Sequence, residues 1–158
     1  MKAQAIVERK SERELVVSRT IDGPPRLVFE AWTNPELFKR WWVPKAAPIS
    51  LVSCELDVRV GGGYRLVFSF GEQTMAFFGK YLEVTPPSRL VWTNEEDGAD
   101  VATITTVTFE ERDGKTLVTV HDLYASKEAL DAAIASGSTE GMPEQLAQLD
   151  ELMVALPR

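Results

Sequence analysis

Cysteine and histidine are scarce in this chain of 158 residues: each occurs once, as Cys54 and His121. A structural zinc site takes about four ligands, mostly Cys and His, so the sequence cannot supply one of that kind. The carboxylates show no spacing typical of a metal site. The lone thiol, with no apolar signal-like segment after Met1, indicates a reducing, cytoplasmic setting. We therefore expect no metal and no cofactor.

Long apolar runs and positive charge are also lacking. No run approaches the ~20 residues that a membrane-spanning helix needs. The 17 basic and 24 acidic residues give a formal net charge of −7, which opposes binding to the phosphates of nucleic acids. The sequence predicts no membrane insertion and no nucleic-acid partner. It leaves the oligomeric state open, including a homodimer.

Motifs for catalysis and nucleotide binding are few. The run Gly61-Gly62-Gly63 lacks the GxGxxG spacing and precedes a predicted strand, so it indicates a turn. Cys54 and His121 could form a thiol–base pair, but Cys54 lies in an apolar alternation typical of a buried, inert thiol. Asp57 and Arg59 favour a surface ion pair over contact with a polar ligand group. We predict no catalytic residue, and an enzyme is the less favoured function.

The chain length fits one domain, residues 1–158, that buries a sizeable core. Residues 1–13 are weakly patterned and indicate a loose or edge segment. A strand is predicted over ELVVSRTID (14–22) and a helix over RLVFEAWT (26–33), because Gly23-Pro24-Pro25 ends the strand and suits a helix start. Asn34 predicts the cap of a second short helix at Pro35.

The segment from residue 49 to residue 124 is predicted as strands joined by short turns, which indicates an antiparallel sheet. In the first of them, Val52, Cys54, Leu56, Val58 and Val60 are expected to share one face. Gly114 is expected to take a positive φ in the last turn. The predicted strands are LVSCELDVRV (51–60), YRLVFSF (64–70), QTMAFFGKYLEV (73–84), PPSRLVWTNE (86–95), VATITTVTFEE (101–111) and KTLVTVHDLY (115–124).

Two helices are predicted to end the chain. Ser126 caps the first, and Gly137 stops it. In the second, within residues 139–157, an apolar stripe predicts a long buried face, with an irregularity expected at Pro143. The stripe consists of Met142, Leu146, Leu149, Met153 and Leu156, widened by Leu152.

Two adjacent tryptophans stand in LFKRWWVPKAAP (37–48). On a helix Trp41 shares a stripe with Leu37, and Trp42 shares another with Phe38. We predict Trp41 in the core and Trp42 at the mouth of a pocket, although a helix phase shifted by one residue would reverse the two.

Aromatic and sulfur-containing residues recur on single faces of successive strands, opposite the long helix. A sheet curled round one helix leaves an elongated apolar space of the kind that binds small molecules. The candidate ligand-binding residues are Phe38, Trp41, Trp42, Tyr64, Phe68, Phe70, Met75, Phe77, Tyr81, Trp92, Met142, Leu146 and Leu149.

The element order, together with NPELFKRWWVP, LDVRVGGGYRLVF, FGKYLEVTPPSRLVWT and EGMPEQLAQLDEL, resembles the START/polyketide-cyclase-like helix-grip superfamily (SRPBCC). Within it, the chain is similar to the bacterial branch named for the activator of the heat-shock protein 90 ATPase. The resemblance implies an α+β helix-grip fold: a curved antiparallel sheet wrapped around a long C-terminal helix, with two short helices after the first strand.

Three functions remain open at this point. The resemblance implies a cavity for a hydrophobic ligand, so the first is binding of a small hydrophobic or aromatic molecule. The second is a cyclase, dehydratase or hydrolase acting on aromatic or polyketide-like substrates, which an inward-pointing histidine or carboxylate would favour. The third is a chaperone-associated interaction domain, which a cavity filled by its own side chains would favour.

Overall fold

One antiparallel sheet organises the residues that the computed structural model describes, which are 5–45, 47–96, 103–137, 139 and 141–156. Its strands are β1 (Ile6–Arg9), β2 (Glu14–Ile21), β3 (Ser50–Leu56), β4 (Gly63–Phe70), β5 (Gln73–Thr85), β6 (Arg89–Glu96), β7 (Thr103–Arg112) and β8 (Lys115–Leu123). Their order across the sheet is β1-β2-β8-β7-β6-β5-β4-β3. Strands β3 to β8 thus form a meander, and β2 joins its last strand.

The helices are α1 (Pro25–Thr33), α2 (Pro35–Phe38), α3 (Lys127–Ala135) and α4 (Gly141–Ala155). Helices α1 and α2 lie between β2 and β3 in the chain, and these two strands are far apart in the sheet. Helix α4 packs against β2 and α1. This arrangement confirms the predicted helix-grip architecture. The two short helices follow the strand predicted at residues 14–22. This strand is β2 in the structure, since Ile6–Arg9, within the segment predicted as loose or edge, forms an exposed edge strand.

Local sequence signals explain the helix boundaries. The Asn34 side chain accepts a hydrogen bond from the Glu36 N–H at 2.9 Å, and Ser126 caps α3 by accepting from the Ala129 N–H at 3.0 Å. Gly137, which follows α3, has a φ of 80°. The predicted caps and stop are therefore confirmed. Gly114 takes a φ of 81° in the β7–β8 turn, as expected.

The apolar stripe of α4 is buried against the sheet. Leu146, Leu149 and Met153 have no exposed surface, and Leu152 is 7% exposed. The predicted irregularity at Pro143 is wrong, because α4 begins at Gly141. Pro143 therefore lies in the first turn, where its missing N–H has no partner within the helix.

The face predicted for residues 51–60 needs correction. A register shift between Leu51 and Ser53 interrupts the pairing of β3 with β4, and the strand ends at Leu56. Such a bulge adds one residue and changes which side chains point inward. Val52 is 58% exposed and Val60, in the following turn, is 68% exposed. Neither belongs to the buried face.

No helix within the described residues is both long enough and apolar enough to span a membrane.

Candidate functional site

A cavity of about 650 Å³ lies between the concave face of the sheet and the segments that cover it. Its walls are mainly aromatic and aliphatic. They come from α2, from the strands of the sheet and from the N-terminal half of α4. The apolar lining residues include Leu15, Val17, Phe38, Trp42, Ile49, Leu56, Tyr64, Leu66, Phe68, Phe77, Tyr81, Trp92, Val120 and Met142.

The two adjacent tryptophans lie in different environments. Trp41 is completely buried, its Nε1–H donates to the Ala31 carbonyl at 2.9 Å, and its ring packs edge-on against Trp32 with centroids 4.7 Å apart. Trp42 is half-buried and stacks on Phe38, with centroids 4.6 Å apart. The Phe38–Trp42 stack forms one wall of the cavity.

Two glutamines of α4 hold this wall in place. The Gln148 amide donates to the carbonyls of Trp41 and Val43, both at 2.8 Å, and its Oε1 accepts from the Lys45 N–H at 2.8 Å. The Gln145 amide donates to the Trp42 carbonyl. Because irregular backbone needs partners when it is buried, these side chains supply what a helix or strand would provide. The segment after α2 is thereby fixed to α4.

Gly79 permits a close approach of strands at another wall. A Cβ at this position would lie 1.8 Å from the Thr93 carbonyl oxygen and 2.8 Å from the Tyr64 ring. The absence of a side chain lets Tyr64 cross the strand and donate its hydroxyl to that carbonyl at 2.6 Å. Burial raises the pKa of Tyr64 and of Tyr81, so both phenols stay protonated at neutral pH.

A polar network interrupts the apolar wall on β6, β7 and β8. The Asn94 amide donates to Thr105 Oγ1 at 2.7 Å, and the Thr105 hydroxyl donates to Asp122 Oδ1 at 2.5 Å. Asn94 Oδ1 accepts from Trp92 Nε1–H at 3.3 Å, and it also lies 3.3 Å from the Tyr64 hydroxyl oxygen, whose hydrogen is directed to the Thr93 carbonyl. These hydrogen bonds connect the aromatic wall to one carboxylate.

Asp122 is the ionisable end of this network. Burial raises the pKa of its carboxyl above the ordinary value, and the opposing effects of the Thr105 hydroxyl and the nearby His121 are smaller. Burial also raises the pKa of Tyr124, another lining residue, to about 12. Glu95 borders the cavity on β6, but its carboxylate accepts a hydrogen bond from Thr93 Oγ1 at 3.1 Å on the other face of the strand. The described lining contains no Lys, Arg or His.

A family model, Activator of Hsp90 ATPase homolog 1-like protein, matches residues 22–154. The chain belongs to this family. The match extends from the residue after β2 through almost all of α4, so it includes every strand and helix that lines the cavity except β2. A search of curated proteins found no match.

Solved structures of bacterial proteins have the same fold as this member of the Activator of Hsp90 ATPase homolog 1-like family. A Rhodobacter sphaeroides protein is 27% identical, with a TM-score of 0.88 over 97% of this chain and 100% of that one. Protein NE0264 from Nitrosomonas europaea is 28% identical, with a TM-score of 0.81 over 92% and 96%. The AHSA1-like protein from Aeromonas hydrophila, at 19% identity and a TM-score of 0.73 over 92% and 97%, shares the fold.

Most of the side chains predicted to bind a ligand line the cavity of this family member. They come together from α2 and the segment after it, from the three strands β4, β5 and β6, and from the start of α4, as the alternation and the helix stripe indicated. These residues are Phe38, Trp42, Tyr64, Phe68, Phe77, Tyr81, Trp92 and Met142.

The other predicted residues lie elsewhere. Trp41, Leu146 and Leu149 have no exposed surface and pack in the core rather than at the cavity. Phe70 and Met75 are each 50% exposed, near the tip of the β4–β5 hairpin. Alternation placed them on the correct side of their strands, but no helix covers that end of the hairpin in the described structure.

The remaining chemical candidates are outside the cavity lining. His121 points away from Asp122, to the other face of β8, and its Nε2 lies 2.7 Å from Glu14 Oε1. Cys54 packs against the core, and burial raises its pKa to about 11, so it is a neutral thiol at physiological pH. Asp57 and Arg59 form an exposed ion pair at 3.0 Å, as the sequence favoured. The described residues contain no group of three or more His, Cys, Asp or Glu placed to hold a metal ion.

The polar lining residues were not predicted from the sequence. Asn94, Thr105 and Asp122 each continue the inward face of a strand, after Trp92, before Val107 and after Val120 respectively. In the sequence, the signal for these residues was a polar side chain at a position where the alternation of a strand points inward. The sequence signal for the two glutamines of α4 was weaker, because polar side chains on a helix usually face solvent.

The raised pKa of Asp122 predicts a pH-dependent stability. The folded state binds this proton more tightly than the unfolded chain, so this group's contribution falls as the pH rises above the ordinary aspartate value of about 4. We expect Asp122→Asn to match the wild type in stability below that pH and to exceed it at neutral pH. Urea unfolding of both proteins across the acidic and neutral range measures the difference. A difference that does not change with pH would contradict the prediction.

Proposed function

We propose that this protein binds a small, mostly apolar molecule, with an aromatic part, in the cavity between the sheet and the C-terminal helix. The observation that carries the proposal is a cavity of about 650 Å³. Aromatic side chains form much of its wall, and the described side chains do not fill it. Ligand sites in proteins typically measure about 300–1,000 Å³, with apolar walls and a few polar groups that orient the ligand.

The geometry of the walls favours a flat ligand. The Phe38–Trp42 stack, from α2 and the segment after it, and the ring of Trp92, from β6, both line the cavity. A flat ring packed against aromatic side chains gains about 0.5–1.5 kcal/mol beyond the burial of its area. The third hypothesis, an interaction domain whose groove its own side chains fill, loses support because the cavity is open.

An enzyme is the second candidate, and Asp122 is the observation that favours it. A carboxyl with a raised pKa that faces a cavity can give or take a proton at a bound molecule. A cyclase or dehydratase acting on an aromatic or polyketide-like substrate requires such a step. In this alternative Asp122 is the proton-transfer group, and the hydrogen bond from Thr105 holds it in position.

Binding is tested by native mass spectrometry of freshly purified protein, for a small molecule that co-purifies, and by titration with the neutral dye Nile red. We expect saturable dye binding, which Trp42→Ala weakens several-fold because one wall of the cavity is lost. His121→Ala and Cys54→Ser serve as controls outside the lining, and we expect binding within about threefold, or ~0.65 kcal/mol. Dye binding that no lining substitution alters would contradict the cavity as the site.

The two candidates differ in what happens to the ligand. A binding protein releases the co-purified molecule unchanged, whereas an enzyme converts it on prolonged incubation. Mass spectrometry of the released molecule before and after incubation separates the two. Conversion that Asp122→Asn abolishes would establish the enzyme, and conversion that His121→Ala abolishes would contradict the role of Asp122.

A further inference from the structure

The charge of the cavity lining is of one sign. Asp122 contributes a carboxylate that faces the cavity, and the described lining has no basic side chain to balance it. A buried charge is costly unless it is paired or hydrogen-bonded. The Thr105 hydroxyl stabilises Asp122 through one oxygen, Oδ1. Within the described part of the chain, no hydrogen-bond donor reaches its other oxygen, Oδ2.

The hydrogen bonds around Asp122 all run in one direction. Asn94 Oδ1 accepts from Trp92 Nε1–H, which can only donate, so the Asn94 amide must direct its NH₂ group to Thr105. Thr105 Oγ1 accepts that bond and therefore directs its own hydrogen to Asp122. The chain of donors ends on the carboxylate, which presents an acceptor to the cavity.

From this geometry we propose that the ligand carries a protonated amine, which contacts the Asp122 carboxylate, on an aromatic or otherwise apolar body. The inference rests on the proposed binding function and specifies the class of its ligand. The ammonium supplies the missing countercharge and the missing donor. Its apolar body packs against the Phe38–Trp42 stack, and the faces of neighbouring rings attract the cation.

The same features disfavour two other ligand classes. A carboxylate or phosphate group would face Asp122 without a cation in the described lining. The net charge of −7 adds to that repulsion at longer range. A neutral alcohol could donate one hydrogen bond to Asp122, but it would leave the carboxylate without a countercharge. Charge-assisted hydrogen bonds are about twice as strong as neutral ones.

The test compares probes of one shape and three charges: 2-naphthylmethylamine, 2-naphthylmethanol and 2-naphthoate, each titrated at neutral pH by calorimetry. We expect the amine to bind about tenfold or more tightly than the alcohol, and the naphthoate to bind most weakly. Asp122→Asn keeps the side-chain shape and removes the charge. It should reduce the preference for the amine to about threefold or less and leave the alcohol nearly unchanged.

Glu72→Gln makes the same change of charge on an exposed turn and should leave the preference for the amine intact. If the alcohol binds as tightly as the amine, or the naphthoate binds best, the inference is overturned and the binding function stands. An amine preference that survives Asp122→Asn overturns the role of Asp122. If none of the three binds, the proposed function fails, and the inference fails with it. The comparison of the three probes on the wild-type protein tests the ligand class even if a variant does not fold.

Discussion

Trp41→Ala is expected to destabilise the protein by about 3–5 kcal/mol, because a large buried ring leaves a cavity that its neighbours cannot fill. The ring has no exposed surface and contacts Trp32, Phe38 and Trp42 edge-on. Its removal also deprives the Ala31 carbonyl of its indole donor. Urea unfolding followed by far-ultraviolet circular dichroism measures the loss without relying on tryptophan emission.

Trp42→Ala is the matched control, since the two residues are adjacent and differ in environment. Trp42 is half-buried on the cavity wall, so its loss should cost less than about 2 kcal/mol, while the dye titration shows weaker binding. Equal destabilisation by both substitutions, with no effect on binding beyond that loss, would contradict the division between core and cavity. LFKRWWVPKAAP would then be a packing segment only.

The sequence predicted most of the fold because strand alternation and helix stripes are local properties. In β4 and β8 the inward residues follow a period of two, and the structure confirms the burial of Leu66, Phe68, Val118 and Val120. The prediction was wrong at Val52, where a bulge interrupts the pairing. A bulge depends on how two strands meet, and one strand's pattern does not contain that information.

The site was predictable to a smaller extent. Alternation gives the face of a strand, but burial also depends on which element covers that face, so Phe70 and Met75 were placed at a cavity that does not extend to them. Leu146 and Leu149 were placed on the correct helix face, yet that face packs in the core. Cys54 and His121 stand out in the sequence as the only residues of two commonly reactive types, whereas Asp122 is one of 24 acidic residues and has no distinguishing spacing.

The position of Asp122 has a cost for the stability of the fold and, under the proposed function, an advantage for ligand binding. Its raised pKa means that the folded protein is less stable with the carboxylate ionised than it would be with a neutral side chain. A leucine or asparagine at this position would avoid that cost. Functional sites commonly contain such groups, because a ligand that balances the charge recovers the energy on binding. Asp122→Asn is expected both to gain stability and to lose the preference for the amine. Both effects come from removing the uncompensated charge of the carboxylate.

Leu149→Ala is expected to cost about 2–5 kcal/mol, since it removes a completely buried side chain from the middle of α4 and leaves an unfilled space. The surrounding residues cannot collapse easily, because the glutamines at positions 145 and 148 fix the preceding turn of the helix to the segment after α2. The loss should therefore lie toward the upper part of that range, and urea unfolding at neutral pH measures it.

Val154→Ala controls for the helix itself. Val154 is 63% exposed on α4, and alanine has the higher helix propensity, so its stability should change by less than about 0.5 kcal/mol. A loss of that small size for Leu149→Ala would mean that α4 does not pack in the concave face of the sheet. Residues of α4 form one wall of the cavity. The position of that wall, and with it the proposed ligand site, would then be wrong as well. A large loss at residue 149 beside a negligible one at residue 154 ties the stability of the fold to the same helix that borders the cavity.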